Sequence, residues 1–251
     1  MSSSIPTGYK PSKSLLKDRV ILVTGAGDGI GKAAAKIYAR HGANIVLTGR
    51  TSHKLESVYD EIVAEGHLEP AIFPLDLAVA SHDDILGLAG GIAQEFGRLD
   101  GLLNNAAELG SLTPVDHYPA DLMQRILAVN LQAPFMLTQA CLPLLRQAVD
   151  SAILFSTTDA YEKSGAYWGA YGISKQALDA FMFILADELE NNTPIRVNAI
   201  DPGPIRTRLR HLAYPAEDLS KLKLPEDVAS SYLYMMGPDS KKLHGQIIQA
   251  Q

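Results

Sequence analysis

The stretch Thr24-Gly25-Ala26-Gly27-Asp28-Gly29-Ile30-Gly31 decides the fold of this chain. An apolar, β-branched run at 20–23 precedes it and has the length of a buried strand. Good helix formers with an apolar stripe follow at 32–40. The order strand, glycine turn, helix predicts a phosphate site, because glycines let the backbone approach a ligand and the helix start presents unpaired N–H groups. An ordinary turn that needs glycine only for its geometry is the alternative interpretation.

The composition restricts the class of protein. The 251 residues are 47% hydrophobic, which is enough for a full core, and an α/β fold of this length is often one domain. The net charge of −6 does not favour nucleic acid or an anionic membrane as a partner. Cys141 is the only cysteine, so we expect no disulfide and a reducing, cytoplasmic environment. No uninterrupted apolar run is long enough to span a membrane, and residues 1–14 are predicted to form a flexible tail before one domain at 15–251.

Short β-type runs alternate with longer helical stretches along the whole chain. This alternation predicts an α/β fold with a doubly wound, mostly parallel sheet of about seven strands and helices on both faces. We predict strands at 20–24, 44–48, 71–75, 101–104, 152–156, 196–200 and 246–249, and helices near 30–41, 52–65, 82–96, 121–147, 170–190 and 226–236. Ligands of such sheets bind at the carboxyl ends of the strands, so those ends hold the candidate site.

The second strand ends at Gly49 and Arg50, where dinucleotide folds often carry an acidic residue for the ribose 2′-hydroxyl. Here a small residue leaves room, and a guanidinium can hold a 2′-phosphate, which favours NADP over NAD. Asp28 in the glycine turn argues the other way, because it could lie near that phosphate and repel it. The alternative interpretation of Arg50 is a solvated arginine that opens a helix.

The third and fourth strands end in further polar candidates. The carboxylate of Asp76, next to Leu77, could accept a hydrogen bond from an adenine amino group or could cap the next helix. The segment Asn104-Asn105-Ala106-Ala107 has two amides and two small residues, which suit the close approach of a flat ligand. Plain turn chemistry is the alternative for this segment.

Two helices carry residues that could do chemistry. Asn130 lies in an apolar stretch, where a buried amide must find partners, either structural or functional. Pro134 crowds the carbonyl group of Asn130, so a bend is expected. Tyr171 and Lys175 share one helix face. A neighbouring cation is expected to lower the pKa of Tyr171, which suits general acid–base catalysis near neutrality, although a surface Tyr/Lys pair has the same spacing.

Together these motifs resemble the short-chain dehydrogenase/reductase family over residues 16 to 250. The motifs that carry the resemblance are T-G-x-x-x-G-x-G at 24–31, N-N-A-A at 104–107, the helical Asn130, the hydroxyls after the fifth strand and Y-x-x-x-K at 171–175. The stretches 168–171 and 201–207 are similar to a bacterial subgroup of largely uncharacterised NADP-linked oxidoreductases. The resemblance implies a Rossmann fold, a carbonyl or alcohol substrate, and homodimers or homotetramers formed through helices 121–147 and 170–190.

The resemblance also implies roles for single residues. Tyr171 would be the general acid/base, Lys175 would lower its pKa and hold the nicotinamide ribose, and Asn130 would hold a water in the proton relay. The usual catalytic serine falls on Thr158, with Thr157 the neighbouring possibility, and a threonine hydroxyl has the same hydrogen-bonding capacity. The cofactor-binding set comprises Gly25, Gly27, Asp28, Gly29, Ile30, Gly31, Arg50, Asp76, Leu77, Asn104, Ala106, Tyr171, Lys175, Pro202, Gly203, Ile205 and Thr207. No metal site is expected.

The segment 205–224 covers the substrate pocket in the family that the chain resembles. Its basic residues, including Arg208 and Arg210, outnumber Glu217 and Asp218, which suggests an anionic substrate. A solvated basic loop is the alternative interpretation. Two other functions stay open, a 3-oxoacyl thioester reductase and a non-catalytic dinucleotide-sensing protein.

Overall fold

The computed structural model describes residues 5–6, 8–159 and 165–251. Seven strands form one sheet in the order β3-β2-β1-β4-β5-β6-β7, and every neighbouring pair is parallel. The strands are β1 Val20–Thr24, β2 Asn44–Gly49, β3 Ala71–Pro74, β4 Gly101–Asn104, β5 Ser151–Ser156, β6 Ile195–Asp201 and β7 Gln246–Gln249. The predicted fold class and the number of strands are confirmed.

Helices cover both faces of the sheet. Their bounds are α1 Gly29–Arg40, α2 Ser52–Ala64, α3 His82–Phe96, α4 Ala120–Leu127, α5 Ala133–Leu145, α6 Gly169–Leu189, α7 Arg208–Ala213 and α8 Pro225–Met236. Side chains of α1, α2 and α8 form the core on one face, and side chains of α3, α5 and α6 form the core on the other. The sheet is therefore buried on both sides, as parallel sheets are.

The strand order reverses between β1 and β4, so the carboxyl ends of these strands open a crevice. Thr24, the last residue of β1, joins the two strand ends at the base of this crevice. Its hydroxyl oxygen accepts the backbone N–H groups of Asn105 at 2.8 Å and Ala106 at 3.0 Å. The glycine turn therefore lies directly beside the N-N-A-A segment.

The predicted bend near Pro134 takes the form of a π-helical turn at Ala128–Gln132, between α4 and α5. Pro134 has no N–H to donate to the carbonyl group of Asn130, four residues earlier. The backbone instead adopts the wider spacing, in which the N–H of Ala133 donates to the carbonyl oxygen of Ala128. Turns of this kind occur frequently at functional sites, and this one contains Asn130.

The helical run Ala120–Leu145 is long and apolar enough, by length and composition alone, to cross a membrane. Its buried side chains pack in the core with α3 and α6; Leu137, Cys141 and Leu145 are fully buried there. The packing of this helical run in the core accounts for its apolar composition.

Two segments differ from the sequence-based expectation. Helix α7 was not predicted; it lies in a loop whose base is closed by a bridge between Ile205 and Lys223. The predicted tail 1–14 is in contact with the domain in part, because the Tyr9 hydroxyl donates to Asp239 at 2.7 Å. Residues 1–4 and 7 of that tail lie outside the described residues.

We expect Gly31→Ala to destabilise the fold. A Cβ at this position would lie 2.3 Å from the carbonyl oxygen of Gly25 and 2.6 Å from Nδ2 of Asn105, so the turn would have to shift. Overpacking of this kind costs about 1–3 kcal/mol of the free energy of unfolding, measured by urea denaturation. Gly87→Ala is the matched control, because a Cβ there meets no atom within 4 Å. Equal stability of the two variants would contradict the predicted contact.

Candidate functional site

One cavity of about 610 Å³ follows the carboxyl ends of the strands. It is lined by most residues of the predicted cofactor set: Gly25, Gly27, Asp28, Gly29, Ile30, Arg50, Asp76, Leu77, Ala106, Tyr171, Lys175, Pro202, Gly203, Ile205 and Thr207. Among the described residues, Gly31 and Asn104 of that set lie off the wall. Gly31 packs against Gly25, and the buried Asn104 amide donates to Thr138 at 3.3 Å. Asn105 lines the cavity in place of Asn104.

The glycine turn brings backbone close to the cavity at Gly25, which has φ +65°. A Cβ there would lie 3.0 Å from the Cα of Ala106, so a larger residue would push against the neighbouring segment. Asp28 caps α1, and its carboxylate accepts the N–H of Gly29 at 2.8 Å. The turn therefore presents backbone and the first turn of a helix to the cavity, which suits an anionic group.

Asp28 is not an isolated negative charge. Nζ of Lys54, in the first turn of α2, lies 2.5 Å from its carboxylate. The hydrogen bond from Lys54 holds the pKa of Asp28 below its ordinary value, even though partial burial acts in the opposite direction. The repulsion that the sequence predicts between Asp28 and a nearby phosphate is thus offset by the positive charge of Lys54, which no motif in the sequence marks.

Arg50 reaches the cavity from the end of β2, but it is not free. Its guanidinium forms an ion pair with Glu108, and Glu108 also accepts two hydrogen bonds from Arg125, both at 2.8 Å. The Arg50 side chain is half exposed, whereas Glu108 is 20% exposed. One carboxylate therefore holds two guanidinium groups at this end of the cavity.

Asp76 lines the cavity but does not cap the next helix. Its carboxylate accepts the N–H of Ala78 at 3.0 Å and so closes a local turn. The cap of α3 is Ser81, which forms a capping box with Asp84. The alternative interpretation of Asp76 as a helix cap is therefore wrong.

Tyr171 and Lys175 lie on one face of α6 and are almost fully buried, at 6% and 3% exposure. Nζ of Lys175 lies 5.8 Å from the centroid of the Tyr171 ring and donates to the carbonyl oxygen of Ser156 at 2.7 Å. The predicted pair is thus assembled against the end of β5. Burial lowers the pKa of Lys175 to about 8.

The expected lowering of the Tyr171 pKa is wrong for this structure. Burial raises the pKa of Tyr171 well above its ordinary value, and the carboxylate of Asp201 and the hydroxyl of Tyr214 add to the rise. The physical reason is that a phenolate at this buried position would lose its solvation. Tyr171 is therefore protonated at neutral pH and ready to donate a proton.

The two candidate hydroxyls that follow β5, Thr157 and Thr158, both line the cavity. Within the described part of the chain, the buried Oγ1 of Thr157 has no hydrogen-bond partner. A buried hydroxyl of this kind is available to a bound molecule.

Asn130 is fully buried and does not line the cavity. Its side chain accepts the N–H of Glu108 at 2.9 Å and donates to the carbonyl oxygen of Glu108 at 2.9 Å and to Ser174 at 3.0 Å. The side chain therefore joins the segment after β4 to α6, which carries Tyr171. Pro134 has no N–H to donate to the backbone carbonyl group of Asn130, which is the group that the predicted water would contact.

Asp201, at the end of β6, connects two cavity segments that lie far apart in the sequence. Its carboxylate accepts the N–H of Gly203 at 2.8 Å and the N–H of Asp159 at 3.0 Å. One contact holds the segment 202–203, and the other holds the segment that carries Thr158. Burial raises the pKa of this carboxyl.

Two cations of the basic loop are paired with its two acidic residues. Glu217 accepts two hydrogen bonds from Arg210, at 2.6 and 2.7 Å, and Lys221 lies 3.5 Å from Asp218. The Arg210 guanidinium also lies 3.7 Å from the centroid of the Tyr214 ring. Arg208, which is exposed, is the basic side chain of the described loop that lines the cavity without an ion pair.

Comparisons with known proteins agree with this architecture. The sequence profile described as short chain dehydrogenase matches residues 19–218. The Escherichia coli K12 protein named uncharacterized oxidoreductase YciK is 43% identical over 97% of this chain and 96% of its own.

Two solved structures with similar folds contain a nucleotide. A Shigella flexneri structure, complexed with NADP, is 42% identical, covers 96% of this chain and 100% of its own, and gives a TM-score of 0.92. An Escherichia coli CFT073 structure, complexed with NADPH, is 44% identical with the same coverage and TM-score. Both are assigned to the short chain dehydrogenases. The chain belongs to the short-chain dehydrogenase family.

Proposed function

We propose that this protein is an NADP(H)-dependent oxidoreductase that transfers a hydride between the nicotinamide and a carbonyl or alcohol substrate, with Tyr171 as general acid/base. The observation that carries the proposal is a single cavity that joins the buried Tyr171–Lys175 pair to the glycine turn and Arg50. The Shigella and Escherichia coli structures, with NADP and NADPH, support the choice of nucleotide.

The residues present fit a dinucleotide. The turn at Gly25 and the start of α1 offer backbone to a diphosphate, and Gly29 has φ +51° there. Arg50 and Lys54 offer two cations to a 2′-phosphate at the end of β2. Pro202, Gly203, Ile205 and Thr207 would hold the nicotinamide carboxamide, as the family resemblance implies. Thr157, whose buried hydroxyl has no hydrogen-bond partner among the described residues, lines the same cavity as Tyr171.

The protein's own residues would manage the proton. NADP(H) supplies or accepts the hydride. Tyr171, protonated at neutral pH, gives its proton to the carbonyl oxygen as an alcohol forms, and Lys175 stabilises the phenolate that develops. Thr158, or Thr157 beside it, orients the carbonyl oxygen by a hydrogen bond. The carbonyl group of Asn130 would hold the relay water.

Turnover tests this proposal directly. Purified protein is mixed with NADPH and a panel of uncharged aldehydes, anionic 2-oxo acids and a 3-oxoacyl thioester surrogate, and the loss of nicotinamide absorbance is followed. We expect formation of an alcohol in equal amount to the NADPH consumed. Reduction of the thioester alone would select the narrower reductase function. Saturable NADPH binding without turnover across the panel would favour a dinucleotide-sensing protein.

We expect the rate of carbonyl reduction to fall as the pH rises through about 8, the pKa of Lys175. Below that pH the ammonium group is charged and supports the developing phenolate; above it the charge is lost and proton transfer slows. Measuring kcat/KM on both sides of pH 8 tests this, because this ratio reports the ionisation of groups before the substrate binds. Lys175→Met should be slower throughout and should lack this decline. If Lys175→Met shows the same decline with pH, a group other than Lys175 causes the decline.

We also propose a homodimer or homotetramer formed through the outer faces of α5 and α6. Both faces expose large apolar side chains: Phe135 at 47%, Phe183 at 48% and Ile184 at 59%. Exposed large apolar side chains on the two predicted interface helices are typical of a protein–protein contact.

The single, buried Cys141 agrees with a reducing compartment, and we propose the cytoplasm.

Charges placed on α6 should separate the subunits. We expect wild-type protein to sediment as a dimer or tetramer and the double variant Phe183→Arg/Ile184→Arg to sediment as a smaller species, because buried charges without partners oppose association. Leu86→Arg, at an exposed apolar position of α3, is the control and should leave the mass unchanged. A double variant with wild-type mass would refute this interface.

A further inference from the structure

The end of the cavity beside Tyr171 has an apolar wall. Trp168, Leu109 and Ala213 are buried there at 7%, 6% and 8% exposure, although they come from three separate segments. The Trp168 ring lies 5.7 Å from the Tyr171 ring and 5.9 Å from the Tyr214 ring, centroid to centroid. A substrate whose carbonyl group meets the Tyr171 hydroxyl must therefore place its substituent near indole, phenol and aliphatic carbon.

The charges around this wall do not favour an anion. The guanidinium of Arg210 stacks on the Tyr214 ring, and its charge is already paired with Glu217 by two hydrogen bonds. Arg208 lines the cavity but is exposed, so water screens it. A carboxylate next to the reacting carbonyl would lose its solvation against apolar groups without gaining a buried partner among residues 8–159 and 165–251.

We propose that the substrate is an uncharged carbonyl compound that bears an apolar group of ring size, aromatic or alicyclic, next to the carbonyl. This inference rests on the proposed function, because the hydrogen bond to Tyr171 determines where the carbonyl group of the substrate lies and therefore which side chains surround its substituent. Burial of a ring against Trp168 and Leu109 removes apolar area from water, and an aromatic ring can also adopt the tilted packing seen between Trp168 and Tyr214. The basic loop is then a cover for the pocket, not an anion-binding site.

A matched pair of aldehydes tests the charge. Methyl 4-formylbenzoate and 4-formylbenzoate have nearly the same shape, and only the second is anionic. With NADPH, we expect kcat/KM for the ester to exceed that for the carboxylate by about 10-fold or more, and benzaldehyde to be accepted like the ester. Equal or faster reduction of the carboxylate would overturn the proposal while leaving the oxidoreductase function intact.

Trp168 allows a second readout that needs no turnover, because it is the only tryptophan in the chain. Protein saturated with NADPH is titrated with two unreactive alcohols, methyl 4-(hydroxymethyl)benzoate and 4-(hydroxymethyl)benzoate. We expect saturable change of Trp168 fluorescence with the ester at concentrations about 10-fold lower than with the carboxylate. If this change occurs but no carbonyl is reduced, the proposed function fails and the binding preference stands. If neither alcohol changes the fluorescence, the pocket proposal is wrong.

Two substitutions locate the preference at Trp168. Trp168→Ala should raise KM for benzaldehyde by about 10-fold or more, and Trp168→Phe, which keeps a ring and guards against misfolding, should raise it about 3-fold or less. NADPH affinity should change far less than this KM in both variants, because Trp168 does not belong to the cofactor-binding set. An unchanged KM in Trp168→Ala would contradict the proposed pocket.

Discussion

Replacing Tyr171 with phenylalanine is expected to lower kcat for carbonyl reduction by a factor of about 10²–10⁴, the usual contribution of a positioned general acid. The ring stays in its place beside Trp168, and only the hydroxyl that donates the proton is lost. NADPH affinity should therefore stay within about 2-fold of wild type, because the substitution removes less binding free energy than one hydrogen bond contributes. Steady-state kinetics and a nucleotide titration of the same preparation measure the two quantities.

Tyr59→Phe is the control for this substitution. Tyr59 lies on α2 and does not line the cavity, so its loss of a hydroxyl should leave kcat unchanged. Retention of most of the activity in Tyr171→Phe would assign proton donation to another group, and the hydroxyls of Thr157 and Thr158 would be the next candidates. Loss of both turnover and NADPH binding would show that Tyr171 shapes the nucleotide site as well.

Replacing Arg50 with alanine is expected to weaken NADPH binding by about 10- to 100-fold and to leave NADH binding within about 2-fold. Hydrogen bonds to charged groups contribute about 1.5–3 kcal/mol each, and NADH has no 2′-phosphate to receive them. The test is the ratio of the NADPH dissociation constant to the NADH dissociation constant, measured for wild type and variant at one ionic strength. Lys54→Ala should act in the same direction, because it removes a cation and exposes the charge of Asp28.

Arg40→Ala is the matched control for both variants. Arg40 lies at the far end of α1, where it pairs with Glu65 at 2.8 Å, and it does not line the cavity. It removes one positive charge from the chain without touching the site. Equal loss of NADPH and NADH affinity in Arg50→Ala would mean that Arg50 supports the adenosine as a whole and does not select the phosphate.

The sequence predicted the parts of the site that depend on local spacing. The glycine turn, the strand ends and the pair Tyr171–Lys175 are each set within one turn or one helix, so residue type and periodicity are sufficient to find them. The seven strands and the main helices follow from the same periodicity. The bend at Pro134 was predicted for its physical reason, although the sequence could not specify a π-helical turn.

The parts that the sequence did not predict depend on long-range contacts. Glu108 joins Arg50 and Arg125, which lie 58 and 17 positions away in the chain. No local motif predicts such a cluster. The pairing of Lys54 with Asp28 and the packing of Trp168 on Tyr214 arise in the same way. The Tyr171 pKa was predicted in the wrong direction because the sequence shows the neighbouring cation but not the depth of burial.

A titration of the wild-type protein with NADPH and with NADH tests the central claim most directly. Energy transfer from Trp168 to the nicotinamide reports binding, and a fixed ionic strength keeps the screening of the phosphate charge constant. We predict saturable binding of both nucleotides, with NADPH tighter by about 10-fold or more. Tighter binding of NADH would contradict the assignment of Arg50 and Lys54 to a 2′-phosphate, and absence of binding by either nucleotide would contradict the oxidoreductase function itself.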